Sequence, residues 1–497
     1  MKGYARTSGE RRRREGGNVF DDQIRVGVAI WFCVRKKGVN GCKIMYETVR
    51  DYAKADEKTG FVSSRLLRER QFDLIKPDAR NNWINLVSND FDTLIPLASK
   101  EAKETKKVSH EKAIFKLISN GVVTARDEWM TDFSTEQLSK KVKRFCEIYS
   151  SEQSRWLGVS TSQPKDKKKR AEALRNFVSR EIKWTEELES HLDRGTVLQF
   201  DAAYLRQATA YRPFVQCATY YAKAMTHRVY LQNRIFPISG SWNNLAFGFS
   251  GVASSKSFST LGVNILPSFD LLEKTQFVPL VRYDDAGNRV DNITDWGLKQ
   301  FQQHYKEITN GTNKAKKITK EAIFHYCYAV LHDPLYREKY ALNLKREFPR
   351  VPFYADFWQW VTWGEALMTL HIGYESIEPF GLQRIDTPDE KARTAGLPAK
   401  ALLRADKDIG IITLDSETTL HNIPMDTWNY KLGNRCALEW VLDQYKERKS
   451  KDPTIREKFD TYRFADYKEK VIDLLMRVTT VSVETVRITK AMRRTAR

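Results

Sequence analysis

The sequence contains a long stretch without carboxylates, and the residue types that remain suit contact with phosphate. Residues 202–269 include no Asp or Glu, although the whole chain of 497 residues has 63. Carboxylates repel phosphate groups while arginine and lysine bind them, so this composition favours a nucleic-acid-binding surface. A buried aromatic core that lacks acids is the alternative, because tyrosines alternate with the basic residues. Those six basic residues are Arg206, Arg212, Lys223, Arg228, Arg234 and Lys256.

A loop rich in glycine and serine is the best candidate for direct contact inside this stretch. Gly248–Lys256 reads Gly-Phe-Ser-Gly-Val-Ala-Ser-Ser-Lys, which lacks the spacing of a nucleotide-binding P-loop. Small residues let a backbone approach a ligand, and hydroxyls with a lysine suit phosphate oxygens. A glycine-rich strand corner explains the same residues equally well. The predicted DNA contacts are Arg212, Arg228, Arg234, Ser254, Ser255 and Lys256.

Motifs that would indicate catalysis are weak. The tetrapeptide Asp-Pro-Leu-Tyr at 333–336 resembles the Asp/Asn-Pro-Pro-Tyr motif of adenine methyltransferases, but the second proline is missing. It lies between two predicted helices, where Asp-Pro ends the first of them. His371 falls in an aromatic-rich helix predicted from Asp356 to Tyr374 and is expected to be a hydrogen-bonded core residue. We predict no catalytic, cofactor-binding or metal-binding residue in this chain.

Composition and charge narrow the class of protein. The net charge of +20 favours a polyanionic partner, and 41% hydrophobic residues are enough to form folded cores. The longest apolar run, Val26–Val34, is far shorter than the roughly 20 residues that span a bilayer. The six cysteines are far apart, with no CxxC pair, so neither a zinc site nor a disulfide framework is predicted. We therefore expect a soluble, cytoplasmic protein without a membrane partner.

The N-terminal residues predict strands that lack enough neighbours. Arg25–Lys37 and Cys42–Val49 read as strands that are apolar on both faces, which is typical of the interior of a sheet. Only two or three strands follow nearby. We therefore expect the chain to begin partway through an α/β domain, and we assign that remnant to residues 1–100.

The rest of the chain divides into a helical part and a larger mixed part. Residues 101–200 are predicted to be a helical connector with a helix over Ser134–Tyr149. It also contains a basic helix within Lys165–Lys183, whose lysines either serve solubility or contact phosphate. Residues 201–497 are predicted to be a mixed α+β domain. Its predicted strands are Leu245–Gly251, Thr260–Leu266 and Ile409–Leu414, and its predicted helices begin after Thr319, after Asn434 and at Asp466.

Several motifs, taken in order, resemble the C-terminal target-recognition region of type ISP restriction-modification enzymes. The likeness covers nearly the whole chain. Upstream, the segments 16–20 and 26–30 resemble the tail of that family's adenine methyltransferase domain. The other matching segments are Gly121–Trp129, Tyr211–Phe214, Arg234–Pro237, Gly251–Phe258, Asn292–Asp295, Asp333–Ala341, Asn434–Val441 and Val481–Thr485.

The resemblance implies a fold and a function. The fold would be the tail of a Rossmann-like methyltransferase sheet, a helical connector and a mixed α+β target-recognition domain. The function would be sequence-specific recognition of double-stranded DNA, which positions the DNA for N6-adenine methylation and restriction. The methyl donor S-adenosylmethionine would bind a partner chain or a missing N-terminal part. That catalytic methyltransferase part could also carry a nuclease-helicase. This chain would therefore not be catalytic alone. A sequence-independent nucleic-acid binder and a divergent stand-alone adenine methyltransferase are the alternatives.

Overall fold

The computed structural model describes residues 19–20, 26–78, 81–99, 112–237, 243–308 and 317–497. Small antiparallel sheets mix with many helices, which confirms the predicted mixed α/β and α+β class. The strands are β1 (Ile44–Tyr46), β2 (Asp73–Ile75), β3 (Ile95–Pro96), β4 (Ser119–Asn120), β5 (Thr131–Asp132), β6 (Leu205–Arg212), β7 (Val215–Tyr220), β8 (Ala246–Phe249), β9 (Thr260–Val263), β10 (Gln276–Pro279), β11 (Val281–Tyr283), β12 (Arg289–Asp291), β13 (Arg350–Val351), β14 (Gln383–Asp386), β15 (Ala401–Asp406), β16 (Ile411–Asp415), β17 (Thr418–His421), β18 (Lys431–Leu432) and β19 (Arg435–Cys436). The helices are α1 (Ala55–Ser63), α2 (Asp127–Met130), α3 (Thr135–Val159), α4 (Lys167–Phe177), α5 (Glu186–Asp193), α6 (Asp295–Ile308), α7 (Lys320–Val330), α8 (Pro334–Lys339), α9 (Asn343–Arg346), α10 (Phe357–Ile372), α11 (Glu390–Thr394), α12 (Ala437–Gln444), α13 (Pro453–Lys458) and α14 (Lys468–Arg494).

The N-terminal strand prediction is only partly correct. The strand predicted over Arg25–Lys37 is wrong for its described residues, because 26–37 contain no strand and Phe32 and Val34 are 72% and 91% exposed. An apolar run forms an interior strand only when other strands flank it, and no described strand pairs with this one. The second predicted strand is confirmed at its centre by β1, which pairs with β2. The motif at 16–20 lies mostly outside the described residues.

Two helices predicted within residues 101–200 are present as α3 and α4. Ser134 caps α3 by accepting a hydrogen bond from the backbone N–H of Gln137, and the predicted apolar stripe from Leu138 to Ile148 is buried. The basic helix is α4, which is shorter than the predicted segment and is capped by Asp166. Helix α5 packs against both α3 and α4. These three helices therefore pack as one group.

Three antiparallel sheets lie mainly within residues 201–497, and two of them take an edge strand, β4 or β5, from residues 101–200. Their strand orders are β4-β10-β8-β9, β5-β7-β6 and β14-β17-β16-β15. The three strands predicted in this part are confirmed as β8, β9 and β16, each shorter than predicted. Strands β8 and β9 form a hairpin in which Phe247 is opposite Gly262. The connection between them, residues 250–259, carries most of the predicted contact loop.

Helices α7, α10 and α14 form the centre of the core. Helix α7 begins after the predicted Thr319 cap, and every residue from Ala322 to Val330 is buried. The helix predicted from Asp356 to Tyr374 is α10, which Asp356 caps, and it lies so close to α7 that a Cβ on Gly364 would be 1.9 Å from the carbonyl oxygen of His325. Glycine is therefore required at this crossing, because any side chain would separate the two helices.

A buried histidine joins these helices to the β8–β9 hairpin. The Tyr328 hydroxyl accepts a hydrogen bond from the backbone N–H of Gly262 and lies 2.5 Å from Nδ1 of His371. The other ring nitrogen, Nε2, lies 3.0 Å from the Thr485 hydroxyl and 3.1 Å from the Tyr430 hydroxyl. His371 is the predicted hydrogen-bonded core residue. Burial, and then the nearby Arg337 charge, lower its pKa to about 3.

The low pKa of His371 predicts acid sensitivity. The unfolded chain binds a proton at this side chain near pH 6.5 and the folded chain does not, so folding is penalised as the pH falls below 6.5. Between pH 7 and pH 5 this group should cost about 2 kcal/mol of the free energy of unfolding. Urea unfolding of the wild type and of His371→Gln at both values measures it. An equal loss of unfolding free energy in the wild type and in His371→Gln would contradict the low pKa of His371.

Candidate nucleic-acid interface

Arg212 is the last residue of β6, and its guanidinium contacts Tyr211 and lies near Asp127. Its side chain is 16% exposed, and Nη1 donates to the backbone carbonyl of Tyr211 at 2.7 Å. Its Nη2 is 3.6 Å from a carboxylate oxygen of Asp127, and the guanidinium stacks on the Tyr211 ring. With Gln216 and Asn264 it lines a small cleft of about 20 Å³, room for about one water molecule. The cleft is too small for an organic ligand. Its functional interest is therefore the Arg212 guanidinium at its wall, which could bind a group on the surface.

The loop after β8 is organised around one carboxylate from outside the acid-free stretch. Glu273 accepts hydrogen bonds from the hydroxyls of Ser254 and Ser255, at 2.5 and 2.9 Å. It also accepts from the backbone N–H groups of Ser255 and Lys256, at 3.0 and 3.3 Å. Burial acts to raise the pKa of Glu273, but the hydrogen bonds from the two serines, together with the charge and the backbone N–H of Lys256, outweigh it and keep the pKa below its usual value. The loop is therefore an anion-binding turn that an internal carboxylate fills.

Lys256 is half-buried beside other cations. Its ammonium donates to the backbone carbonyl of Leu272 at 3.3 Å and lies over the Trp440 ring, 4.8 Å from the ring centroid. Burial lowers its pKa; Glu273 opposes this shift, and the charges of Arg435 and Arg212 add to it. The structure therefore brings Ser254, Ser255 and Lys256 together around Glu273, with Arg212 near enough for its charge to act on Lys256.

Arg435 belongs to this place, and the sequence reasoning missed it. Its guanidinium lies 5.2 Å from the centroid of the Trp440 ring and donates to Asp443 at 2.8 Å. The preceding turn fits closely against the loop: a Cβ on Gly433, whose φ is +69°, would be 2.9 Å from Cδ of Lys256. The signal available was the segment Asn434–Val441, which contributed only to the family resemblance. We call Arg212, Lys256 and Arg435, with the loop 252–258, the basic loop surface.

The other two predicted contacts lie on other elements and pair with acids. Arg228 is 60% exposed, 3.9 Å from Glu187 at the start of α5. Arg234 is only 15% exposed and forms an ion pair with Asp285 in the turn between β11 and β12. Acids from other parts of the chain thus approach most cations of the acid-free stretch. A stretch without acids is therefore not a stretch of uncompensated cations.

The methyltransferase-like tetrapeptide has a structural role. Asp333 is buried and caps α8 by accepting a hydrogen bond from the backbone N–H of Leu335. The Tyr354 hydroxyl donates to the same carboxylate at 2.7 Å, and Arg497 forms an ion pair with it. The Asp-Pro pair begins α8, whereas α7 has already ended at Val330. Tyr336 is buried, so it offers no face on which a base could stack.

The described residues contain neither a group that could bind a metal ion nor a membrane-spanning helix. That part of the chain holds no group of three or more His, Cys, Asp or Glu side chains placed to bind a metal ion. It also holds no helix that is long and apolar enough to cross a membrane.

Comparison with known proteins identifies the family. The family model of the Type ISP C-terminal specificity domain matches residues 113–474, about three quarters of the chain. The chain belongs to this family. The resemblance to type ISP restriction-modification enzymes that its motifs indicate is thereby confirmed. No curated protein matches the chain.

Solved structures with the same fold contain DNA. A cryo-EM structure of a DrdV–DNA complex has 46% identity and a TM-score of 0.88, and the match covers 99% of this chain and 47% of that one. The Type ISP restriction-modification enzyme LlaGI, a nuclease-deletion mutant in complex with a DNA substrate mimic, has 24% identity and a TM-score of 0.78, covering 99% and 43%. The ATP-dependent Type ISP enzyme LlaBIII bound to DNA has 24% identity and a TM-score of 0.75, covering 99% and 30%. The chain thus spans less than half the length of each.

The role of Glu273 in this specificity domain predicts a local opening. Replacing it in Glu273→Ala removes the acceptor of the Ser255 backbone N–H and of two hydroxyls of the loop, which should cost about 1–3 kcal/mol locally. Hydrogen exchange of peptides that span 250–258 should then be about ten- to a hundredfold faster. Asp270→Ala is the matched control, because it removes the same charge from an exposed neighbour. Equal exchange in the two variants would contradict the role of Glu273.

Proposed function

We propose that this chain recognises a specific sequence in double-stranded DNA as the specificity part of a type ISP-like restriction-modification enzyme. The observation that carries the proposal is the basic loop surface, where Lys256 and Arg435 both contact Trp440 beside the glycine- and serine-rich loop and the charge of Arg212 acts on Lys256. The family match and the DNA in the related structures support it. The net charge of +20 supports a polyanionic partner independently.

The residue types of this surface suit two kinds of contact. Arginine presents a planar fork that can bind the O6 and N7 atoms of guanine, whereas lysine is a point charge suited to phosphate. We assign base contact to Arg212 and Arg435, and phosphate contact to Lys256. The hydroxyls of Ser254 and Ser255 donate hydrogen bonds to Glu273. In this proposal the two serines therefore shape the loop, and their oxygen atoms are available to DNA only as hydrogen-bond acceptors.

The remaining predicted contacts differ in availability. Arg228 is exposed and its distance of 3.9 Å to Glu187 makes a weak surface ion pair, so it stays a proposed phosphate contact. Arg234 would have to exchange its ion pair with Asp285 for a phosphate. We therefore rank Arg234 below the other five predicted residues.

Methylation requires a catalytic part, and we propose where that part docks. Large apolar side chains are exposed along the described residues between 30 and 86, a pattern typical of an interaction surface. We propose that an adenine methyltransferase core, which would hold S-adenosylmethionine, covers this surface, whether it belongs to the same polypeptide or to another. The exposed side chains include Trp31, Phe32, Val34, Met45, Leu66, Leu67, Leu74 and Leu86.

Selection from a randomised DNA pool tests the proposed recognition. The chain is mixed with random duplexes at near-physiological salt, and the bound fraction is sequenced. We expect one enriched, asymmetric motif, because base contacts discriminate by about 1–3 kcal/mol per base pair. Salt-sensitive binding without any enrichment would instead indicate a sequence-independent nucleic-acid binder, the alternative function that net charge alone would allow.

Single substitutions test the assigned roles. Arg212→Ala or Arg435→Ala should cost about 1–3 kcal/mol of binding and relax one position of the motif, whereas Lys256→Ala should weaken all duplexes alike. Arg487→Ala is the control, since Arg487 is an exposed arginine of α14 that pairs with Glu484. Binding constants for the selected duplex and for its single-base variants separate these outcomes. Wild-type binding by both Arg212→Ala and Lys256→Ala would show that the basic loop surface is misplaced.

A further inference from the structure

A group of exposed lysines at the start of α4 has no function in the fold or in the proposed recognition site. All four are exposed, and none has an acid within ion-pair distance in the described part of the chain. From 153 to 171 the sequence contains a single acid, Asp166, and its carboxylate caps α4 by accepting from the backbone N–H of Lys169. We call this group the lysine corner. Its members are Lys165, Lys167, Lys168 and Lys169.

The position of the lysine corner is electrostatically unfavourable for the folded protein. The N-terminus of a helix carries a partial positive charge, so nearby lysines cost free energy and acids gain it. The neighbouring helix α5 follows this rule, with Glu186, Glu187 and Glu189 in its first turn. Helix α4 reverses it, with no acid in its first turn. The fold therefore gains nothing from placing lysines here.

The same helix neutralises its inner basic residues. Arg170 donates to Asp193 through Nε at 2.9 Å, and Arg175 forms an ion pair with Glu189 at 3.2 Å. Both acids belong to α5, which packs against α4. Charge compensation is thus available to this helix and is used on the side that faces α5. The lysine corner keeps its charge because its four side chains are exposed and form no ion pair with α5 among the described residues.

We propose that the lysine corner binds the phosphate backbone of duplex DNA outside the recognised sequence. Four lysines close together provide point charges for phosphate without reading bases. Residues 157–176 contain no aromatic side chain, so the corner offers no surface on which the bases of a single strand could stack. The inference rests on the proposed function, because it needs a duplex held by the same protein. It adds a second, sequence-independent contact to that site.

The test compares the salt dependence of binding in two charge-matched variants. The first carries Lys165→Gln, Lys167→Gln, Lys168→Gln and Lys169→Gln. The second carries Lys299→Gln, Lys391→Gln, Lys400→Gln and Lys446→Gln, which removes the same charge from exposed lysines on other elements. Binding constants of the full chain are measured from low to physiological salt, with long and short duplexes that contain the selected motif.

The proposal predicts a change in slope with no change in sequence preference. The plot of log affinity against log salt should become shallower by about 0.9 for each lysine that contacts a phosphate, in the first variant only. The change should vanish with a duplex that is trimmed close to the motif. Equal slopes in both variants, or an altered base preference in the first, would overturn the proposal. Failure of the proposed function is distinguishable, because the wild type would then select no motif at all.

Discussion

The basic loop surface depends on a single carboxylate that satisfies the loop after β8. A loop that turns two backbone N–H groups and two hydroxyls inward needs an acceptor for them, since unpaired buried donors are costly. The acid-free stretch cannot supply one, and Glu273, four residues beyond its end, does. The same carboxylate offsets part of the positive charge around Lys256. One residue thus sets both the shape and the electrostatics of the loop.

The core holds this loop from the other side. The close crossing of α7 and α10, which requires Gly364, brings Tyr328 and His371 together. Tyr328 in turn accepts a hydrogen bond from the backbone of Gly262 in β9, so the hairpin that carries the loop is fixed to the helical core. His371 and Arg212 of the proposed recognition surface line the same small cleft. Stability of the core and geometry of the surface are coupled through this hairpin.

Charge is distributed unevenly in a way that separates two tasks. Lys256 and Arg435 of the basic loop surface are partly buried beside Trp440, which suits contacts that need fixed geometry. The four lysines of the lysine corner are exposed to solvent at the start of α4. Flexible, hydrated lysines suit contacts that need charge without geometry. Together the two surfaces match the general division between contacts that specify a DNA sequence and contacts that position the duplex.

Local patterns in the sequence determined the class of the fold, the family and the positions of six helices, which are α3, α4, α7, α10, α12 and α14. Helices such as α3 and α7 could be predicted because their caps, Ser134 and Thr319, and their apolar stripes act over a few residues. Tertiary structure decided what depends on residues far apart in the chain. The apolar run after Val26 forms no strand because no described strand flanks it. Arg435 joins Lys256 across 179 positions, and Glu273 reaches back to the serines, because folding, and not sequence spacing, brings them into contact.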